Sequence, residues 1–257
     1  QFDLKKKKII FDVGANIGQS IRRLELIIPQ SKFHSFEPTP ELAEILKKKY
    51  KNTRKYKINN FGLGNKNTSL KFNSFKYSQI NSFIDIDADS KFYKSRNMVS
   101  KEKYFKDSGV LLPNRRKEFK KILSIKTKKL DSYCEANNIK KINFLKIDTQ
   151  GFEKNVLKGS QKMLRQNKID IIELEIILGF AYKKTLSFFD IEKILNPCSY
   201  KLIAIQNQGN LISFSNYQTN VIYVKSDLYH KIKKLNSENS NILNVMKATD
   251  GSNQYSY

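Results

Sequence analysis

Four short strings carry residue types that could do chemistry together: Phe11-Asp12-Val13-Gly14-Ala15-Asn16-Ile17-Gly18, Phe36-Glu37-Pro38, Lys146-Ile147-Asp148 with Glu153, and Glu173-Leu174-Glu175. In the first, the apolar run Ile9 to Val13 feeds a glycine-rich turn that opens a helix, so the backbone there can approach a ligand closely. Asn16 stands where a dinucleotide fingerprint needs a second glycine, and the Gly-Lys-Ser/Thr of a phosphate loop is missing. Asp12 would repel a pyrophosphate but suits a cationic ligand. S-adenosylmethionine carries an ammonium and a sulfonium and no phosphate. The turn therefore favours that cofactor, with Asp12, Gly14, Asn16 and Gly18 around it. Glu37 follows Gly14 by 23 residues, the place of an acid that takes ribose hydroxyls. Asn60, just past the third strand, stands where an adenine edge is held.

The other two strings suit the acceptor side of a methyl transfer. That reaction is an in-line displacement in which the protein chiefly aligns donor and acceptor. A hydroxyl is a poor nucleophile until a base or a metal takes its proton. Asp148 ends an apolar strand at the carboxyl edge, where ligands of α/β sheets bind. Lys146 lies two residues earlier on the same strand face, and Glu153 five residues later in a first helical turn. Asp148 is expected to position or deprotonate the acceptor, with Glu153 and Lys146 orienting or tuning it. The plainer alternatives are a helix-dipole role for Glu153 and a structural Lys146–Asp148 ion pair. Glu175 shares a strand side with Glu173, lies nearer the carboxyl end and could face the acceptor. With Asp148 it could also offer oxygens to a divalent metal, although no compact metal motif accompanies them. His34 and His230 read as structural or solvated.

Alternating strands and helices must position these residues. Helix Gln19 to Ile28 buries Ile21, Leu24 and Ile28. Phe33 to Phe36 is a second strand, and Thr39-Pro40 is an N-cap and first-turn pair for helix Glu41 to Tyr50. Lys55 to Asn59 is a third strand, and an alternating strand surrounds Leu70 and Phe72. Phe75 to Ser124 has no sustained period. It reads as an irregular insertion with some helix near Glu118 to Leu123, and as a candidate acceptor lid bearing Tyr77, Phe83, Phe92, Tyr93, Arg96 and Tyr104. Helix Leu130 to Asn137, strand Ile142 to Ile147, helix Phe152 to Asn167, strand Asp170 to Ile177 and helix Leu186 to Leu195 follow. Strands Leu202 to Gln206, Leu211 to Phe214 and Val221 to Val224 close the pattern. The alternation predicts an α/β fold: a seven-stranded, mostly parallel sheet with helices on both faces and an antiparallel edge strand. One domain is expected over 1–235, with a Ser/Asn-rich flexible tail over 236–257.

Phe11 to Gly18, Phe36-Glu37-Pro38 and Phe144-Leu145-Lys146-Ile147-Asp148-Thr149-Gln150-Gly151-Phe152-Glu153, followed by Val156-Leu157-Lys158-Gly159, resemble the FkbM-type methyltransferase family. The resemblance runs from about Ile9 to Val224, and its most specific part is Lys-Ile-Asp-x-x-Gly-x-Glu. Thr127-x-x-Leu130-Asp131 and Glu175 with Tyr182 are similar to its pattern as well. The resemblance implies a class I, Rossmann-like methyltransferase fold and S-adenosylmethionine as cofactor. Known members methylate hydroxyl oxygens on sugars and polyketides, so an O-methyltransferase acting on a saccharide, glycoconjugate or related metabolite is expected.

Composition bounds the partners. At 257 residues the chain can bury a sizeable core, and 39% hydrophobic residues argue against wholesale disorder. No apolar run approaches the roughly 18 residues of a bilayer-spanning helix, and a cytoplasmic location is expected. Two cysteines make neither a disulfide framework nor a Cys-rich zinc site. The formal charge of +24 points toward a polyanion, and a basic RNA- or anionic-surface-binding protein without catalysis is the alternative reading. Lys supplies 41 of the 48 cations, however, whereas base readers lean on Arg. Lys, Asn and Ile also share AT-rich codons. Asn196-Pro197-Cys198 resembles a cytosine-methyltransferase loop but follows the wrong strand, and the Pro-Pro loop of base amino-methyltransferases is absent. No specific nucleic-acid partner is expected; an anionic glycan would be drawn to the surface.

Overall fold

The protein is described from a computed structural model covering residues 7–75, 78–85, 87, 119–177, 182–183, 186–207 and 218–238. Strand β1 (Ile9–Val13) and helix α1 (Gln19–Ile27) open the chain, followed by β2 (Lys32–Phe36), α2 (Pro40–Lys49) and β3 (Tyr56–Asn59). After β4 (Gly62–Leu63), β5 (Thr68–Phe75) and β6 (Phe119–Lys128) come α3 (Leu130–Ala136), β7 (Ile142–Ile147), α4 (Glu153–Lys158) and α5 (Gln161–Arg165). The chain continues through β8 (Ile169–Ile177), α6 (Phe188–Leu195), β9 (Tyr200–Asn207), β10 (Gln218–Lys225) and α7 (Ser226–Glu238).

Seven strands form the main sheet in the order β3-β2-β1-β7-β8-β10-β9. The first five pair in parallel, and β10 runs antiparallel to both β8 and β9. The expected α/β sheet, mostly parallel with an antiparallel edge, is therefore the observed one. The strand order reverses between β1 and β7, so a crevice opens at their carboxyl ends, the usual place for ligands in such sheets.

Side-chain alternation sorts the sheet into two unlike faces. Phe11, Val13, Leu145, Ile147, Ile172 and Leu174 pack into one core with α3 to α6. On the other face Ile10, Phe144, Ile171 and Ile222 pack under α1 and α7, but only toward the amino ends. Farther along the same strands that face turns polar, with Asp12, Lys146, Glu173 and Glu175, all buried. Helix α6 begins with a reciprocal capping box between Ser187 and Asp190.

Three expectations change. In place of the helix expected near Glu118 to Leu123, β6 occupies Phe119–Lys128 and pairs antiparallel with β5 from Phe75 to Thr68. With β4 these strands make a second, three-stranded sheet. The helix expected over Phe152 to Asn167 breaks at Gly159-Ser160 into α4 and α5. A side chain at Gly159 would lie 2.0 Å from the Gly64 carbonyl oxygen, so two backbones meet there. Thr39 does precede α2, but its hydroxyl does not cap the helix and instead accepts from Asn81 Nδ2 at 3.2 Å. Helix α7 extends to Glu238. The strand at Leu211 to Phe214, and Tyr77, Phe92, Tyr93, Arg96 and Tyr104 of the expected lid, lie outside the described residues. Phe83 packs between Phe72 and Phe152, with ring centroids 4.7 and 4.8 Å away.

Candidate active site

The crevice between β1 and β7 holds a row of charges fixed by sheet register. Asp12 faces Lys146, and Lys146 faces Glu173 on β8. Lys146 Nζ lies 3.0 Å from Asp148 Oδ2 and 3.9 Å from Asp12 Oδ1. From α1, Arg23 reaches back to Glu173 Oε1 at 2.5 Å. Among the described residues neither carboxylate oxygen of Asp12 has a hydrogen-bond partner, although the side chain is 0% exposed. Its pKa is pushed up to about 6, chiefly by burial, with Lys146 pulling the other way.

One step nearer the carboxyl edge, Asp148 and Glu175 form a pair. Gln150 Nε2 donates to Asp148 Oδ1 at 3.0 Å and to Glu175 Oε2 at 2.6 Å. The two carboxyls also hydrogen-bond each other. Burial would push both upward, but Lys146, then the donors around it, more than offsets this at Asp148 and holds it below the ordinary aspartate value. Glu175 is pushed well above its ordinary value by burial and by the Asp148 and Glu153 carboxylates. These opposite shifts favour the charged form at Asp148 and the protonated form at Glu175. Lys146 stays charged, since Asp148, Asp12 and Glu173 outweigh the burial that opposes its charge. Asp148, with 32% of its side chain exposed, is the open end of this array.

Loop geometry explains the glycines. Gly14 has φ of 85°, and a Cβ there would sit 1.8 Å from the Asp148 carbonyl oxygen. Its lack of a side chain lets the ends of β1 and β7 touch, which brings the two halves of the crevice together. Gly18, at φ 90°, starts α1 against the Tyr50 ring. Glu37 is buried and accepts from the Asn16 and Thr39 backbone N–H groups, both at 2.8 Å. Burial raises its pKa, with these donors opposing. Asn60 Nδ2 donates to the Glu37 and Pro38 carbonyls, both at 3.0 Å, so it fixes the loop that carries Glu37.

The structure brings Asp12, Lys146, Asp148, Glu153 and Glu175 into one cluster and places Gly14, Asn16, Gly18, Glu37 and Asn60 on the adjoining loops. Glu153 Oε1 accepts from the Thr149 N–H at 2.9 Å, the Thr149 hydroxyl at 3.0 Å and the Gly151 N–H at 3.1 Å. That geometry makes it the clamp of the Asp148-to-Gly151 turn. His34 is buried, with Nδ1 2.8 Å from the Tyr133 hydroxyl and a pKa lowered to about 4 by burial, then Lys32 and Lys57. His230 is exposed on α7. Cys198 is buried in the turn before β9, at the opposite edge of the sheet. Among the described residues no group of three or more His, Cys, Asp or Glu could hold a metal ion. No helix among them is long and apolar enough to cross a membrane.

This geometry coincides with a sequence match: residues 12–202 match the methyltransferase FkbM domain. The chain belongs to the FkbM methyltransferase family. A relative in Sinorhizobium fredii, the 2-O-methyltransferase NoeI, is 20% identical over 164 residues, covering 64% of this chain. The match spans 62% of that relative's length. Among solved structures, the fibrillarin pre-rRNA processing protein of Methanococcus jannaschii is similar at a TM-score of 0.45 and 10% identity, over 88% of this chain and 70% of that one. A SAM-dependent methyltransferase of Aquifex aeolicus gives 0.43 and 11%, over 86% and 84%.

Two side chains of this candidate site were not singled out from the sequence, and one segment was read only as part of the expected lid. Gln150 is one, and its place beside Gly151 in the turn after β7 was the available signal. Arg23 is another, and nothing local distinguishes it. The segment is the strap Ser78 to Asp85, which crosses the carboxyl edge. Ser78 Oγ donates to Asn16 Oδ1 at 2.9 Å, Asn81 reaches Thr39, and Ser82 Oγ donates to the Gln150 carbonyl at 2.7 Å. At its end the Asp85 carbonyl accepts from the Lys183 N–H at 3.0 Å. One short segment thus ties together the loops after β1, β2, β7 and β8.

Proposed function

We propose that this methyltransferase uses S-adenosylmethionine to methylate a hydroxyl oxygen of a saccharide or glycoconjugate. The observation that carries the reading is a fully buried Asp12 carboxylate without a hydrogen-bond partner among the described residues, beside a charged Asp148 open to solvent. An orphaned anion under the Gly14 turn fits a ligand that brings positive charge, and S-adenosylmethionine, when bound, supplies the methyl group as an electrophile on a sulfonium. Asp12, Gly14, Asn16 and Gly18 would hold it on one side. Glu37 would hold it on the other, its carboxylate fixed by the Asn16 and Thr39 N–H groups and the Thr39 hydroxyl and keeping a lone pair for a ribose hydroxyl.

On the acceptor side Asp148 orients the hydroxyl and takes its proton as the oxygen forms its new bond to carbon. Lys146 keeps Asp148 charged beforehand, and Glu153 holds the turn that aims it. The name of the Sinorhizobium relative supports an oxygen acceptor.

Two measurements test the reading. Calorimetry should detect S-adenosylmethionine binding by the wild type that Asp12→Ala or Glu37→Ala weakens. Mass spectrometry of a panel of neutral and anionic glycans should find one that gains a methyl group. A wild type that binds no S-adenosylmethionine would sink the proposal. Asp148→Asn should keep cofactor binding while turnover falls by about 10²–10⁴; full turnover in that variant would remove Asp148 from the mechanism.

A further inference from the structure

We propose that Gln150 is a positioning residue that locks Asp148 and Glu175 into one unit, with Glu175 holding the proton and Asp148 left free to accept another. The inference rests on the methyl-transfer reading above and assigns a role to a side chain that the reading leaves unused.

The backbone shows why the residue has to be glutamine. Gln150 sits at φ 53°, a left-handed conformation that favours short polar side chains. The other side-chain-bearing residues with positive φ among those described are Asn16, Asn138, Asn167 and Ser199. Local preference therefore calls for Asn at 150 and gets a longer side chain. The extra methylene supplies reach. It lets one amide nitrogen span Asp148 Oδ1 and Glu175 Oε2, while its oxygen accepts from the Tyr182 hydroxyl at 3.1 Å. The Asp148 carboxylate, which only accepts, fixes which end of the amide faces the carboxyls. The turn is held from outside by Glu153 and by Ser82 on the Gln150 carbonyl.

Both hydrogens of the amide nitrogen are donated, one to each carboxyl. Glu175 Oε2 accepts one amide hydrogen, and the proton that Glu175 holds is the one it shares with Asp148. Asp148 then holds Lys146 on Oδ2, the amide on Oδ1, and a lone pair toward solvent. The charged groups facing the pair are Lys146, Asp12, Glu173, Arg23 and Glu153, and Lys146 alone contacts Asp148 directly. In the transfer the acceptor O–H bond breaks and its proton goes to Asp148. The oxygen's electron pair forms the O–CH₃ bond, and the S–CH₃ electrons stay on sulfur. The pair holds one proton before the step and two after it, and the second leaves through the exposed Asp148.

The test compares wild type, Gln150→Leu and Gln150→Glu as full chains. Carboxyl ¹³C NMR reads the titration of Glu175, identified by its loss in Glu175→Gln. Calorimetry reads S-adenosylmethionine affinity, and kcat is followed against pH on whichever panel glycan the wild type methylates. Gln150→Leu should move the Glu175 titration by about one pH unit or more, the size expected for losing one close donor. It should lower kcat about tenfold to hundredfold and leave cofactor affinity within about threefold. Gln150→Glu keeps the shape. It should recover kcat only in part toward acid pH, where its protonated carboxyl offers one donor in place of two. An unmoved Glu175 titration in Gln150→Leu overturns the proposal, as does a parallel loss of cofactor affinity, which would place Gln150 in the cofactor site. Because the NMR arm needs no acceptor, a wild type that methylates nothing on the panel counts against the proposed function and leaves the role of Gln150 decided separately.

Discussion

Asp12 gives the clearest energetic consequence of a single side chain. Its pKa in the folded protein is about 6 against an ordinary 3.8, raised mainly by burial. A raised carboxylate stabilises the fold fully below pH 3.8, and that contribution is lost as pH climbs through about 6, a difference of about 3 kcal/mol. Asn at this position mimics the protonated acid. Asp12→Asn should therefore raise the melting temperature of the cofactor-free protein at pH 7 to 8, with the gain vanishing near pH 4. The same variant should bind S-adenosylmethionine more weakly by calorimetry, a direct conflict between stability and function. Gly14 behaves differently. Gly14→Ala would drive a Cβ into the Asp148 carbonyl at positive φ, and it should cost about 3 kcal/mol or more in a denaturant titration. The acids and glycines of this site could be read from the sequence because they stand at fixed offsets from strand ends. Gln150 and Arg23 were not, since their partners Glu175 and Glu173 lie 25 and 150 residues away, and only the bond from Gln150 to Asp148 is local.

At the scale of elements, the parallel core was legible because each strand is an apolar run followed by a helical face. β6 was not. Phe119, Ile122 and Leu123 mimic one face of a helix, and only the partial burial of Leu123 and burial of Ile125 and Thr127 reveal the strand period. Its partner β5 lies more than 40 residues upstream, so the pairing that decides its form is non-local. The break between α4 and α5 was hidden for the same reason, since Gly159 is needed by Gly64, 95 residues away. Gly159→Ala should push the small sheet off the main one. Hydrogen exchange would report this as faster exchange in β4 and β6, together with a melting temperature lowered by several degrees.

For the molecule as a whole, the +24 charge sits apart from the reaction. In the crevice Asp148 pairs with Lys146 and Glu173 with Arg23, so the surplus lysines bear on what approaches rather than on what reacts. Salt separates these roles, because exposed charges are screened within about 8 Å at physiological ionic strength. Between about 50 and 300 mM NaCl, kcat/KM should fall several-fold for an anionic glycan acceptor and hold nearly constant for a neutral one. The strap from Ser78 to Asp85 bears on turnover in another way. Its bonds to Asn16, Thr39, Gln150 and Lys183 are each worth about 1 kcal/mol, weak singly and substantial together. On the proposed function it spans both the donor and the acceptor loops, so demethylated cofactor and methylated product would leave past the same latch. Rapid-quench kinetics should then show a burst of one product per enzyme before the steady state. Ser78→Ala with Asn81→Ala should shrink that burst by hastening departure while the chemical step keeps its pace.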